Sequence, residues 1–151
     1  MIRPATLVDL PELTRLEAEI FGPDAWSEKS VREEIEGPGR RFLVTDDLDG
    51  YVVTMTAGDI VDLLRIGVRR EARRTGVATA LLREALKETE GASRMLLEVS
   101  VRNEEAVPFY VRHQFSVIDV RPNYYRDGSE ALVMCRWLAG LYDTLEPGRR
   151  A

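Results

Sequence analysis

The sequence predicts a mixed α+β fold in a single domain. Short runs rich in β-branched and aromatic residues are interleaved with stretches whose apolar residues recur every three or four positions. Their order is strand, two helices, three strands, helix, strand, helix, two strands. The length, 151 residues, suits one core; a domain of that size buries roughly 70% of its unfolded surface.

Ile2, Arg3 and Pro4 read as an edge strand ended by proline. Asp9 is placed to cap a helix with Pro11 in its first turn and Leu10, Leu13, Leu16 and Ile20 on one face. Gly22 and Pro23 stop it. Ser27 caps a second helix carrying Val31 and Ile35, closed by Gly37, Pro38 and Gly39. Residues 42–45 and 51–57 flank a loop at 46–50 and form a hairpin, and 63–68 is a third strand. A helix follows from Ala78, with Leu81, Leu82, Ala85 and Leu86 inward, then a strand at 95–101. Asn103 caps a helix with Ala106, Val107 and Tyr110 inward, where Pro108 is expected to distort the backbone. Strands at 115–120 and 131–137 complete the domain, so the division is 1–137 for the domain and 138–151 for a loose C-terminal tail.

Composition narrows the function. Hydrophobic residues are 44% and charged residues 31%, a globular balance, and the net charge of −5 argues against a nucleic-acid or anionic-membrane partner. Cys135 and His113 are the only residues of their kinds, which excludes an internal disulfide and a thiolate- or histidine-rich metal site, so no metal is expected. No leader or membrane span is evident, and a reduced cytoplasmic setting is the expectation. Against this acidic background Arg65, Arg69, Arg70, Arg73 and Arg74 form a basic cluster.

That cluster precedes Gly76, Val77 and Ala78 at the start of a helix. A helix N-terminus presents unpaired N–H groups and a positive dipole end, small residues allow close approach, and the arginines add charge. Such a segment can cradle phosphate; a permissive turn with solvated arginines is the alternative. It is neither a Walker loop nor the three-glycine dinucleotide pattern.

Strand alternation over residues 94–99 sets Met95, Leu97 and Val99 on one face and Leu96 with Glu98 on the other. A carboxylate partly buried among apolar groups has a raised pKa, as a general base requires; the alternative is a solvated carboxylate paired with Arg102. Tyr110, among Val107, Phe109 and Phe115, is a core tyrosine or, if its hydroxyl reaches a cleft, a proton donor.

These residues resemble the GNAT N-acetyltransferase superfamily. Arg73, Gly76 and Ala78 resemble its pyrophosphate loop, and Ile66, Gly67 and Val68 its bulged pantetheine strand. The ribosomal-protein alanine N-acetyltransferase branch is the nearer resemblance. It is carried by Ala25-Trp26-Ser27-Glu28, by Leu97-Glu98-Val99 with Asn103 and Tyr110, and by Asn123-Tyr124-Tyr125 with Asp127-Gly128. His113-Gln114-Phe115 departs from the usual Leu-Gly-Phe, the proline expected after Val68 is missing, and Ala25 replaces the proline before the tryptophan.

The resemblance implies a mixed sheet of about seven strands with about four helices and a splayed parallel strand pair for the cosubstrate. It implies acetyl-CoA as cosubstrate, bound by Ile66, Gly67 and Val68, by Arg73, Arg74, Thr75, Gly76, Val77, Ala78 and Thr79, and by Asn103. It makes Glu98 the base and Tyr110 the acid. Trp26, Asn123 and Tyr124 would line the acceptor site; Trp26 is equally readable as a core anchor, and Tyr124 and Tyr125 point opposite ways if extended. The acceptor is expected to be a protein N-terminus, such as that of a ribosomal protein. A free α-amine is about 10% neutral at pH 7 and a lysine about 0.04%, so an N-terminal amine needs only modest help from a base. Cys135 reads as a small core residue, not a nucleophile. A small-molecule amine acetyltransferase and a silent coenzyme A-binding module are the alternatives.

Overall fold

A computed structural model describes residues 1–87, 89 and 91–138; most of the 138–151 tail therefore lies outside the described residues. The strands are β1 (Ile2–Pro4), β2 (Arg40–Thr45), β3 (Gly50–Ala57), β4 (Ile60–Val68), β5 (Arg94–Ser100), β6 (Ser116–Arg121) and β7 (Ala131–Trp137). The helices are α1 (Leu10–Phe21), α2 (Glu28–Glu36), α3 (Val77–Lys87) and α4 (Ala106–Arg112). The strands join in one mixed sheet of seven, in the order β1-β2-β3-β4-β5-β7-β6. The fold class, the strand and helix numbers and the parallel strand pair are as the sequence predicts.

The described chain divides into two compact units, one of Met1–Thr56 with Leu63–Thr89, the other of Ala57–Asp62 with the described part of 90–151. In the first unit, Leu10, Leu13 and Leu16 of α1 and Val31 of α2 pack on Phe42, Val44, Tyr51 and Val53 in a single apolar cluster. The three- and four-residue spacing of the leucines puts them on one helix face. Ser27 caps α2 by accepting the Ser30 N–H at 3.1 Å. Asp9 precedes α1 as expected, but its side chain does not cap that helix. It instead forms a bidentate pair with Arg3, both contacts at 2.9 Å, and accepts the Thr6 N–H at 2.9 Å. The 46–50 loop is also one residue shorter than expected, because Gly50 belongs to β3. A Cβ there would stand 3.0 Å from the Gly67 carbonyl oxygen and from Val77 of α3.

In the second unit, Ile60, Val61 and Asp62 pair in parallel with Arg94, Met95 and Leu96, and the ladder ends at Asp62 and Leu96. β7 lies antiparallel between β5 and β6, with Leu97 opposite Met134 and Glu98 opposite Val133. The predicted alternation holds: Met95, Leu97 and Val99 are buried and Glu98 is exposed. Asn103 caps the start of α4, its side-chain oxygen accepting the Ala106 N–H at 3.1 Å. The helix proper begins at Ala106, so Pro108 falls in its first turn, where a missing N–H removes little. Leu138 is buried and its N–H donates to the Ser93 carbonyl.

Candidate active site

The loop ahead of α3 has the build of an anion cradle. Gly76 has φ +89°, and a Cβ placed there would meet nothing within 4 Å. The Ala80 N–H bonds the Gly76 carbonyl; those of Val77 and Ala78, one turn earlier, have no carbonyl within the helix to receive them. Arg70, Arg73 and Arg74 are exposed beside them. The residues present therefore fit a phosphate group: open space, helix N–H groups and exposed positive charge.

The whole arginine cluster does not serve this purpose. Arg69 is held by Asp49 at 3.6 Å and Glu19 at 3.9 Å, with a further bond to the Leu48 carbonyl. Arg65 is turned onto the buried Glu17, its Nη2 2.6 Å from the carboxylate. Arg73 stays with the loop: it donates through Nε alone to the Val68 carbonyl at 3.2 Å, and its side chain is exposed.

Gly67 has a local steric reason to be glycine. Its missing side chain makes room for Tyr51: a Cβ at 67 would stand 2.7 Å from the Tyr51 hydroxyl oxygen. Trp26 is partly buried against the α1 cluster, its ring 4.6 Å from the Arg65 guanidinium. Both residues thus lie around Glu17, a buried carboxylate on the α1 leucine stripe that sequence reading does not single out.

In the second unit Glu98 is exposed, not embedded among apolar groups. Its carboxylate accepts the Tyr124 hydroxyl at 3.1 Å and pairs with Arg121 at 3.1 Å. Arg102, the partner considered from sequence, pairs with Asp127 instead, at 3.3 Å. Tyr124 and Tyr125 sit in a turn, not an extended segment: both N–H groups donate to the Ser129 carbonyl. Their rings therefore meet edge to face at 5.0 Å instead of pointing apart. Asn123 opens this turn with φ +52°, a conformation asparagine tolerates. The charge of Glu98 and its hydrogen bond raise the Tyr124 phenol. Burial, then Glu98, raises Tyr125.

Tyr110 lies edge-on to Phe109 and Phe115, at centroid distances of 5.3 and 5.6 Å. Burial pushes its phenol up to about 12, with a smaller push from Tyr125. Its hydroxyl has no hydrogen-bond partner among the described residues. Asp62 joins this group, its carboxyl raised by burial and then by the charge of Glu98. No single-strand sequence pattern points to Asp62, because its place depends on the parallel register with Leu96. Cys135 is a buried free thiol whose pKa burial raises, the reverse of an activated nucleophile.

Along the chain, the glycine-containing loop and α3 precede β5, the strand that carries the exposed Glu98. The sequence model of the Acetyltransferase (GNAT) domain matches residues 9–137, and the chain belongs to this family. It is an N-acetyltransferase of the GNAT type. The N-alpha-acetyltransferase of Sulfolobus acidocaldarius is 28% identical, the alignment covering 88% of this chain and 89% of that protein. The ribosomal-protein-S18-alanine N-acetyltransferase of Escherichia coli superposes with a TM-score of 0.81 at 27% identity, over 91% of this chain and 93% of that one. The structure of NAA60 from Arabidopsis thaliana in complex with acetyl-CoA shares the fold, with a TM-score of 0.82 at 20% identity over 91% and 98% of the two chains.

Proposed function

We propose that this chain transfers an acetyl group from acetyl-CoA to the N-terminal α-amine of a protein, with an alanine-starting ribosomal protein as the favoured acceptor. The observation that carries the reading is the exposed Glu98 carboxylate held by the Tyr124 hydroxyl. A base presented at the surface beside a tyrosine turn suits the end of a polypeptide better than a molecule enclosed in a cavity. The named activities of the Sulfolobus and Escherichia relatives support the same class of acceptor. A chain of net charge −5 also suits a basic partner.

Acetyl-CoA supplies the activated acetyl thioester. Val77 and Ala78 N–H groups, with Arg73 and Arg74, hold its pyrophosphate, and the backbone of Ile66, Gly67 and Val68 holds the pantetheine arm. Asn103 keeps its side-chain NH2 for coenzyme A while its oxygen caps α4. Glu98 takes the proton that the acceptor amine loses. Tyr110, a phenol and therefore protonated at neutral pH, donates to the sulfur as negative charge develops there. Trp26, Asn123 and Tyr124 orient the acceptor.

The test is incubation with acetyl-CoA and peptides of varied N-terminus, following thiol release. Release with alanine-starting peptides is the expected outcome. Release with small amines alone, or none with any peptide, overturns the proposal.

A further inference from the structure

Glu17 is only 1% exposed, yet it sits on the leucine stripe of α1 where an apolar residue would continue the core. A buried ion pair is on average no more stabilising than well-packed apolar groups of the same volume. The arrangement of its partners gives Glu17 another use. One carboxylate oxygen accepts the Tyr51 hydroxyl at 2.5 Å and Arg65 Nε at 3.0 Å. The other accepts Arg65 Nη2 at 2.6 Å and the Trp26 N–H at 2.6 Å. These donors belong to β3, β4 and the α1–α2 connection.

We propose that Glu17 is a positioning residue with two separable arms, setting the Gly67 backbone through Tyr51 and the 21–26 segment through Arg65. The inference rests on the reading above, that Gly67 faces the acetyl donor and Trp26 the acceptor.

The first arm is steric. The Tyr51 ring fills the space beside Gly67, with three of its atoms within 2.9 Å of where a Cβ would lie. The ring is fully buried, and the Glu17 bond fixes how far its hydroxyl reaches toward β4. The second arm is a planar clamp. The Arg65 guanidinium lies 3.7 Å from the Phe21 ring centroid and 4.6 Å from that of Trp26, and it donates to the Asp24 carbonyl at 3.0 Å. Only a flat, forked cation can stack on both rings while bonding a carboxylate and a carbonyl; lysine cannot.

The experiment compares Tyr51→Phe, Arg65→Lys and Glu17→Gln in the full chain. It measures KM for acetyl-CoA, KM for whichever peptide or small amine the unaltered enzyme turns over best, acetyl-CoA affinity by calorimetry, and the thermal midpoint. Tyr51→Phe is expected to weaken acetyl-CoA alone, and Arg65→Lys the acceptor alone, each about fivefold, the worth of one hydrogen bond. Glu17→Gln weakens both. A fall in thermal midpoint with both KM values unchanged, or equal changes in both KM values for every variant, would overturn the inference. If small amines react and peptides do not, the proposed acceptor class fails while the split is still read on the amine. If nothing reacts, calorimetry still decides: Tyr51→Phe must weaken acetyl-CoA and Arg65→Lys must not. Should Glu17→Gln fail to fold, the two arm variants carry the test.

Discussion

The Glu98 carboxylate is 3.1 Å from the Arg121 guanidinium on one oxygen and accepts the Tyr124 hydroxyl at 3.1 Å on the other. Both partners orient it, yet its side chain keeps 34% of its exposure. Glu98→Gln preserves the shape and removes the proton acceptor. The expected result is a fall in kcat of about 10²- to 10⁴-fold with acetyl-CoA affinity unchanged. Thermal unfolding should shift by less than about 1 kcal/mol, since surface pairs contribute little. Steady-state kinetics beside calorimetric titration of acetyl-CoA checks both.

Tyr110→Phe removes a hydroxyl that has no partner among the described residues. Stability at pH 7 should stay within about 0.5 kcal/mol, since no hydrogen bond among the described residues is lost. Activity should fall at least about tenfold if the hydroxyl donates a proton. The alkaline limb gives an independent check. The folded phenol titrates near 12 against an ordinary 10.0, so its contribution is fully present below pH 10 and is lost between 10 and about 12. Unfolding followed by denaturant at pH 9 and pH 11 should show a smaller loss for the Phe variant than for the unaltered protein.

Asp9, buried and clasped by Arg3, links β1 to the turn before α1. The Arg3 hydrogen bonds hold its carboxyl below the ordinary 3.8; burial opposes them, and the Thr6 N–H adds a smaller downward push. A lowered carboxylate stabilises the fold above its unfolded pKa and loses that contribution as pH falls through the folded value. Asp9→Asn should therefore cost about 1–3 kcal/mol at pH 7. The deficit should shrink below about pH 4, where the unaltered carboxylate also protonates. Urea midpoints across that range provide the measurement.

Gln114 adopts φ +70° at the end of α4. The Phe115 N–H reaches back to the Tyr110 carbonyl and the Gln114 N–H to the Val111 carbonyl, the paired bonds of a Schellman ending. Glycine suits the left-handed position and glutamine does not. Gln114→Gly should raise stability by about 0.5–1 kcal/mol, readable as a higher thermal midpoint.

The order of elements is legible because each has a period of its own. The leucines of α1 recur on one face, and Met95, Leu97 and Val99 alternate with Glu98. The turn ahead of α3 is legible because glycine at a helix start is a local signal. What escapes the sequence is pairing over distance. Arg121, not Arg102, meets Glu98, because the turn at 122–130 returns the chain and sets β6 beside β7. Asp9 leaves its helix because Arg3, on a strand, competes for the same oxygens. Glu17 looks like one more charge on an amphipathic helix; its donors stand 9, 34 and 48 positions away.

The bond from the Trp26 N–H to the Glu17 carboxylate, at 2.6 Å, also makes one backbone amide a spectroscopic sentinel. A short, charge-assisted bond draws an amide proton strongly downfield and shields it from exchange with solvent. In a ¹H–¹⁵N spectrum the Trp26 resonance should stand apart from those of its neighbours in the α1–α2 connection. Its position reports the placement of a carboxylate that no solvent-borne probe reaches.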